Sequence, residues 1–226
     1  AVMLRMTQAV ICGSDLHTWR GDQVNVPLPP TGRVMGHEGT GVVDKLGSGV
    51  TTDTLGVPIV EGDRIVYAAV FPCHHCHMCL KNNTNWCVNR GYAAGGVYPY
   101  FTGTYADFLY LPPRHPFFRV PDELPDDLLG PVNCAMGTVT TGLMRAGAKE
   151  GDYVVIQGAG GLGLHAIAMA KDMGADRVII LDRLSNRLEL AEEFGADHTI
   201  NIEEFNTAET RVQRVWELTD GRGADV

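Results

Sequence analysis

The stretch DYVVIQGAGGLGLHAIAMAKDMGADRVIILD, Asp152 to Asp182, decides the fold. DYVVIQ is an apolar run of strand length, and DRVIILD is a second. Between them GLGLHAIAMAKDMGA reads as a buried helix closed by Gly174. Strand, helix and strand in this order, with strands apolar on both faces, mean a parallel α/β sheet. Gly158-Ala-Gly160-Gly161-Leu162-Gly163 fits G-x-G-x-x-G and stands where the first strand passes into the helix, the context that gives the pattern meaning. Glycines there allow a tight turn, close approach of backbone to a pyrophosphate, and close helix–strand packing. The helix N-terminus adds unpaired N–H groups for the anion. Asp182 ends the second strand about 20 residues further on, where a carboxylate accepts hydrogen bonds from a ribose and repels a 2′-phosphate, which favours NAD over NADP. Arg183 follows directly, and an arginine nearby accommodates that phosphate, so NADP stays open.

The alternation continues on both sides of this stretch. CAMGTVTTGLMRAGA has helical character and ends near Gly147. LSNRLELAEEFGA reads as a helix with Leu184, Leu188, Ala191 and Gly195 on one face; HTINI is a short strand and TAETRVQRVWELTDG a further helix. Residues 1 to about 130 differ. Short apolar runs, TGVVDKL, DRIVYAAV and TYADFLYL, are punctuated by Gly and Pro and read as a mostly antiparallel β domain. VPDELPDDLLGPVN is a connector, because Pro121, Pro125 and Pro131 discourage continuous helix. AVMLRMTQAVIC reads as a strand from the first residue, and GRGADV as the start of another. The expectation is an internal portion of a longer protein, inactive and aggregation-prone by itself because an apolar sheet edge is left open.

The chain has 226 residues, is 45% hydrophobic and carries a net charge of -9. There is no basic stripe, which argues against nucleic acid or an anionic membrane surface as partner. No apolar run approaches the ~20 residues needed to span a bilayer. There are 6 cysteines. Four crowd into FPCHHCHMCLKNNTNWC, Phe71 to Cys87, which fits zinc in a reducing compartment better than disulfides, with the cytoplasm as the default location. Cys73, Cys76, Cys79 and Cys87 follow C-x2-C-x2-C-x7-C, a spacing that wraps one Zn²⁺ tetrahedrally. Substitution by His74, His75 or His77, and an iron–sulfur cluster, are weaker readings of the same residues. With four cysteines bound, such a zinc is coordinatively closed and holds structure rather than substrate.

Cys12 in ICGSDLH and Cys134 in VNCAMG remain, with His37 in MGHEGTG. Cys/Cys/His is a ligand set of catalytic zinc, but spacing alone does not join residues this far apart. A lone buried cysteine is more often a small hydrophobe. Taken in order along essentially the whole chain, ICGSDLH, GHEGTGVV, the four-cysteine cluster and VVIQGAGGLG resemble the zinc-dependent alcohol dehydrogenases of the medium-chain dehydrogenase/reductase superfamily.

The resemblance implies a mostly β GroES-like catalytic domain over residues 1–132, lacking its extreme N-terminus and C-terminal return. The first half of a Rossmann NAD-binding domain would follow over 133–226. It implies two zinc ions per chain, a small alcohol or carbonyl substrate, and a homodimer or homotetramer. Residue by residue it implies that Cys12, His37 and Cys134 bind catalytic zinc, with Glu38 just behind the metal and Asp15 fixing the His37 imidazole. Ser14 would hydrogen-bond the substrate oxygen, His17 would end a proton relay, and Thr138 would lie near the nicotinamide. Arg187 matches a basic position beside the adenosine ribose; without the resemblance it reads equally as a solvated helix charge. Alternatives are a polyol or other specialised dehydrogenase of the superfamily, a zinc-free reductase, and a zinc-stabilised NAD-binding protein without turnover. Phe71, Tyr92 and Tyr100 are candidate pocket aromatics or core residues.

Overall fold

The computed structural model describes residues 1–22, 34–89 and 103–226, so Tyr92 and Tyr100 lie outside the described residues. The chain divides into two compact units, Ala1–Cys134 and Ala135–Val226.

In the first unit, β1 (Val2–Val10), β2 (Glu38–Leu46), β3 (Arg64–Tyr67), β4 (Phe108–Leu111) and β5 (Phe117–Arg119) form one sheet in the order β4-β1-β2-β3-β5. Every pairing in it is antiparallel. Leu4, Val43, Ile65, Leu109 and Leu111 are almost wholly buried, and they come from the apolar runs visible in the sequence. β5 is a difference from the sequence reading, which gave FFR no strand; three residues are too short for a period to show. The helix α1 (Gly13–Arg20) is a second difference. Its sequence, GSDLHTWR, lacks an apolar stripe and buries only Asp15, so it carries no helical period. The connector is held as two 3-10 turns, Asp126–Leu128 and Gly130–Val132, as the prolines require. Arg64 pins it by donating to Asp126 Oδ1 at 2.7 Å and to the carbonyls of Pro121 and Asp122.

His115 is 4% exposed in this unit and stacks on Phe71 at 4.3 Å. Phe71 is therefore a packing residue. Nε2 of His115 donates to the Ala68 carbonyl at 2.8 Å. Burial pushes the imidazole pKa down to about 4. The unfolded chain takes up this proton near pH 6.5 and the folded chain does not, so the stability is present above 6.5 and lost as pH falls towards 4. The loss is on the order of 3 kcal/mol. In urea midpoints measured between pH 7 and 4.5, His115→Phe is expected to flatten the acid limb; an unchanged limb would assign it to other groups.

In the second unit, α3 (Ala135–Ala146), following the short α2 (His77–Leu80) of the first, precedes β6 (Tyr153–Gln157), α4 (Gly161–Asp172), β7 (Arg177–Asp182), α5 (Ser185–Glu193), β8 (His198–Asn201) and α6 (Ala208–Leu218). The strands are parallel in the order β6-β7-β8. β7 explains the continuous apolar run. Val178 and Ile180 pack with Ile167, Ala170, Leu188 and Ala191, while Ile179 and Leu181 pack with Ile200 and against Val215 and Leu218. Both faces are buried, so apolar residues need not alternate with polar ones. Leu184 departs from its expected buried face and is 37% exposed, because it caps α5 from outside the first turn. Val226 pairs with the outer side of β6: it donates to the Tyr153 carbonyl and accepts from Val155 N–H at 2.8 Å. Among the described residues no helix is long and apolar enough to cross a membrane.

Candidate metal centre and dinucleotide loop

Cys12 follows the end of β1, and His37 and Glu38 stand at the start of β2. The β1–β2 register pairs Val10 with Glu38, so antiparallel pairing carries Cys12 and His37 to the same end of the sheet. Cys134 arrives from the other side of the chain. The side chain of Asn133 accepts from Gly39 N–H at 3.1 Å and donates to the Tyr67 carbonyl at 2.7 Å, tying the residue before Cys134 to both β2 and β3. As a result, donor atoms of Cys12, His37, Glu38 and Cys134 all lie within 4.8 Å of one another. Glu38 is buried and the other three are half-buried. Nothing in the sequence marked Asn133, because one asparagine makes no pattern.

Asp15 sits at the third position of α1 and works in two directions. Oδ2 accepts the Cys12 N–H at 3.0 Å, and Oδ1 faces His37 Nδ1 at 3.3 Å. That leaves His37 Nε2 on the opposite side of the ring, 3.4 Å from Ser14 Oγ. His17 is one turn beyond Ser14 on α1, is exposed, and pairs with Asp22 at 2.9 Å.

The four-cysteine cluster is separate from these residues. Donor atoms of Cys73, Cys76, Cys79 and Cys87 also lie within 4.8 Å, and all four residues are buried. His75 and His77 are exposed, and the ring nitrogen Nδ1 of His75 meets the Cys73 carbonyl at 2.7 Å. The N–H of Cys79 and others near it pull the Cys76 thiol pKa down to about 6, whereas burial pushes Cys79 up to about 12. A packed set of sulfurs held by backbone N–H donors, with no disulfide among them, has the donor chemistry of a closed zinc site.

In the second unit the glycine-rich turn has three distinct parts. Gly158 has φ +99°, which turns the chain out of β6. Gly160 and Gly161 have open space where a Cβ would stand, so the outer side of the loop is bare backbone. At Gly163 a Cβ would fall 1.8 Å from the Gly158 carbonyl oxygen, so α4 packs against the loop only because that residue is glycine. No side chain caps α4, whose first turn includes the exposed Leu162.

Asp182 is 8% exposed and already heavily engaged. Oδ2 accepts from Ala159 N–H at 2.7 Å, while Oδ1 accepts from the N–H groups of Arg183 and Leu184 at 2.8 and 3.0 Å. Burial by itself would raise its pKa; those donors and the Arg187 charge outweigh it and hold the carboxyl below the usual range. Of roughly four acceptor positions on a carboxylate, three serve the protein itself. The sequence reading of Asp182 as a ribose acceptor therefore gains a second role, fixing the glycine loop. A groove of about 340 Å³ opens beside it, lined by Gly158, Asp182, Arg183, Arg187, Ile202 and Arg211 among others. Arg187 reaches within 3.9 Å of Asp182. Arg211, on α6, is a cation the sequence reading missed, since its strand and helix neighbours are not adjacent in sequence. Thr138 lies in the first turns of α3, exposed within the second unit.

Comparison with known proteins gives two family matches: an alcohol dehydrogenase GroES-like domain over residues 1–122, and a zinc-binding dehydrogenase domain over residues 161–226. The chain is 38% identical over 226 residues to the 5-exo-hydroxycamphor dehydrogenase of Pseudomonas putida, covering 99% of this chain and 61% of that protein. It is 34% identical over 221 residues to an alcohol dehydrogenase of Geobacillus stearothermophilus, covering 95% and 60%. A solved alcohol dehydrogenase from Thermotoga maritima superposes with a TM-score of 0.87 at 35% identity, covering 99% of this chain and 61% of that one. The chain thus spans about 60% of the length of the curated relatives it matches.

Proposed function

The chain belongs to the zinc-dependent alcohol dehydrogenase family of the medium-chain superfamily, and from that premise we propose that it transfers a hydride between an alcohol carbon and NAD. The observation that carries the proposal is the convergence of Cys12, His37, Glu38 and Cys134. Two thiolates and an imidazole are a donor set for zinc with one position left open, and the oriented Nδ1 of His37 leaves Nε2 to bind. Residues 1–132 form the catalytic domain in this reading, and residues 133–226 the start of the NAD-binding domain. Cys73, Cys76, Cys79 and Cys87 hold a second, structural zinc.

Bound in their places, zinc supplies a Lewis acid that lowers the hydroxyl pKa of an alcohol, and NAD supplies the hydride acceptor. The chain's own residues do the rest. Cys12, His37 and Cys134 fix the position of the reacting oxygen, and Glu38 stands by as an exchangeable carboxylate. Ser14 would hydrogen-bond the substrate oxygen, and His17, exposed and paired with Asp22 at 2.9 Å, would end a proton relay to solvent. Gly158, Gly160, Gly161, Leu162 and Gly163 would offer backbone to a pyrophosphate, Asp182, Arg183 and Arg187, which line one groove, would hold the adenosine ribose, and Thr138 would lie near the nicotinamide. The substrate is a small alcohol or its carbonyl product, the location the cytoplasm, and the assembly a homodimer or homotetramer.

The test is reduced-nicotinamide formation by the zinc-loaded protein with primary, secondary, cyclic and polyhydric alcohols. NAD reduction with at least one class is expected. NAD binding without reduction of any would leave a zinc-stabilised binding protein and defeat the proposal. A second expectation concerns Asp182. Asp182→Ala removes three acceptor contacts and the charge facing the ribose. It is expected to lower stability by about 2–3 kcal/mol and to raise NADP use relative to NAD. Thermal unfolding and the kcat/KM ratio for the two cofactors measure both; unchanged discrimination would remove Asp182 from cofactor choice.

A further inference from the structure

The pair formed by Asp15 and His37 has a third member that neither the spacing nor the charge pattern points to. Tyr105 donates its hydroxyl to Asp15 Oδ2 at 2.9 Å. The same oxygen accepts the Cys12 N–H at 3.0 Å, while the other faces His37 Nδ1 at 3.3 Å. The Tyr105 hydroxyl also lies 3.3 Å from the Val10 carbonyl, two residues before Cys12. Its single proton belongs to the carboxylate, which is nearer and makes the charge-assisted bond.

The backbone of Tyr105 is committed as well. Its N–H donates to the Met35 carbonyl at 3.0 Å, and that of Thr104 to the Gly36 carbonyl at 3.2 Å. One residue is therefore bonded to both segments that deliver Cys12 and His37. The approach is close. A Cβ on Gly36 would stand 2.1 Å from Thr104 Oγ1 and 2.7 Å from the Tyr105 ring, and Gly36 has φ +88°. Asp15 is 7% exposed, so its orientation is set by these partners rather than by solvent.

We propose that Tyr105 is a positioning residue of the metal centre, acting through Asp15 to aim His37 Nε2 at the space shared with Cys12 and Cys134. The proposal rests on the reading of those three residues as zinc ligands. A hydroxyl in this role differs from a packing role, because phenylalanine would serve packing equally well. Outer partners of metal ligands typically change metal affinity by 10–100-fold.

Tyr105→Phe in the full-length chain tests it, with the metal removed by chelator and Co²⁺ titrated back. Wild type is expected to fill two sites with different visible spectra, one four-thiolate and one with mixed sulfur and nitrogen ligands. The variant is expected to lose about 10-fold in affinity at the mixed site and to change its visible bands, with the four-thiolate site unaltered. Equal affinity and identical bands at the mixed site would overturn the role of Tyr105. So would a parallel loss at both sites, which marks general destabilisation. A wild-type chain that fills the four-thiolate site alone would overturn the ligand reading itself, and the role of Tyr105 with it.

Discussion

Cys134→Ala is expected to reduce alcohol turnover more than 100-fold or so while leaving NAD affinity within about threefold, since a lost ligand outweighs the 10–100-fold effect of a lost outer partner. Cys134 is half-buried and contributes one of two sulfurs to the Cys12, His37, Glu38 and Cys134 group. Removing it leaves one thiolate, one imidazole and the Glu38 carboxylate, a harder donor set that binds zinc less tightly and centres it elsewhere. The side chain of Asn133 ties this segment to β2 and β3 and is untouched by the substitution, so the surrounding backbone is expected to persist. The dinucleotide loop lies in the other unit and uses none of these side chains. Steady-state rates with NAD titration separate the two effects. A variant that keeps full turnover would refute the ligand role of Cys134, and one that loses NAD binding in parallel would show a general loss of folding.

Cys87→Ala is expected to unfold the segment around residues 73–89 and to lower global stability by about 4 kcal/mol or more, the range reached when a structural metal is lost. Cys87 is 3% exposed, and its sulfur accepts the Cys73 N–H at 3.3 Å. The reason for so large an effect is the composition of this core. The buried residues of the segment are the four cysteines themselves, with Met78 packed against them, while Leu80, Trp86 and Val88 face outward. Without a metal little apolar burial holds the fold, and the binding free energy of a structural zinc, about 10–16 kcal/mol in small zinc-dependent peptides, becomes folding free energy. Limited proteolysis and urea midpoints report the result. A midpoint unchanged by both the mutation and a chelator would show that the cluster holds no structural metal.

Much of this was legible in the sequence, for identifiable reasons. The parallel unit was readable because β7 is buried on both faces and glycines punctuate each helix end, among them Gly147, Gly174 and Gly195 with positive φ. The four-cysteine cluster was readable because all its donors are local. Cys12, His37 and Cys134 were different. Strand pairing and the Asn133 bridge join them, and neither leaves a periodic trace; only the family resemblance drew them together. The helix α1 escaped because it buries a carboxylate rather than an apolar stripe. Asp182 was identified for its charge, but its bonds to Ala159, Arg183 and Leu184 follow from the turn geometry, which spacing does not encode. Tyr105 was invisible because its partners, Asp15 and Met35, are distant in sequence, and Arg211 because the groove it lines is built from segments far apart in the chain.

Anomalous X-ray scattering measured on both sides of the zinc absorption edge, from crystals of the zinc-loaded protein, addresses the central claim most directly. Two zinc peaks per chain are predicted, one enclosed by Cys73, Cys76, Cys79 and Cys87 and one bounded by Cys12 Sγ, His37 Nε2 and Cys134 Sγ. A single peak confined to the four-cysteine cluster would contradict the account, leaving a zinc-stabilised fold with no metal at the place assigned to its chemistry.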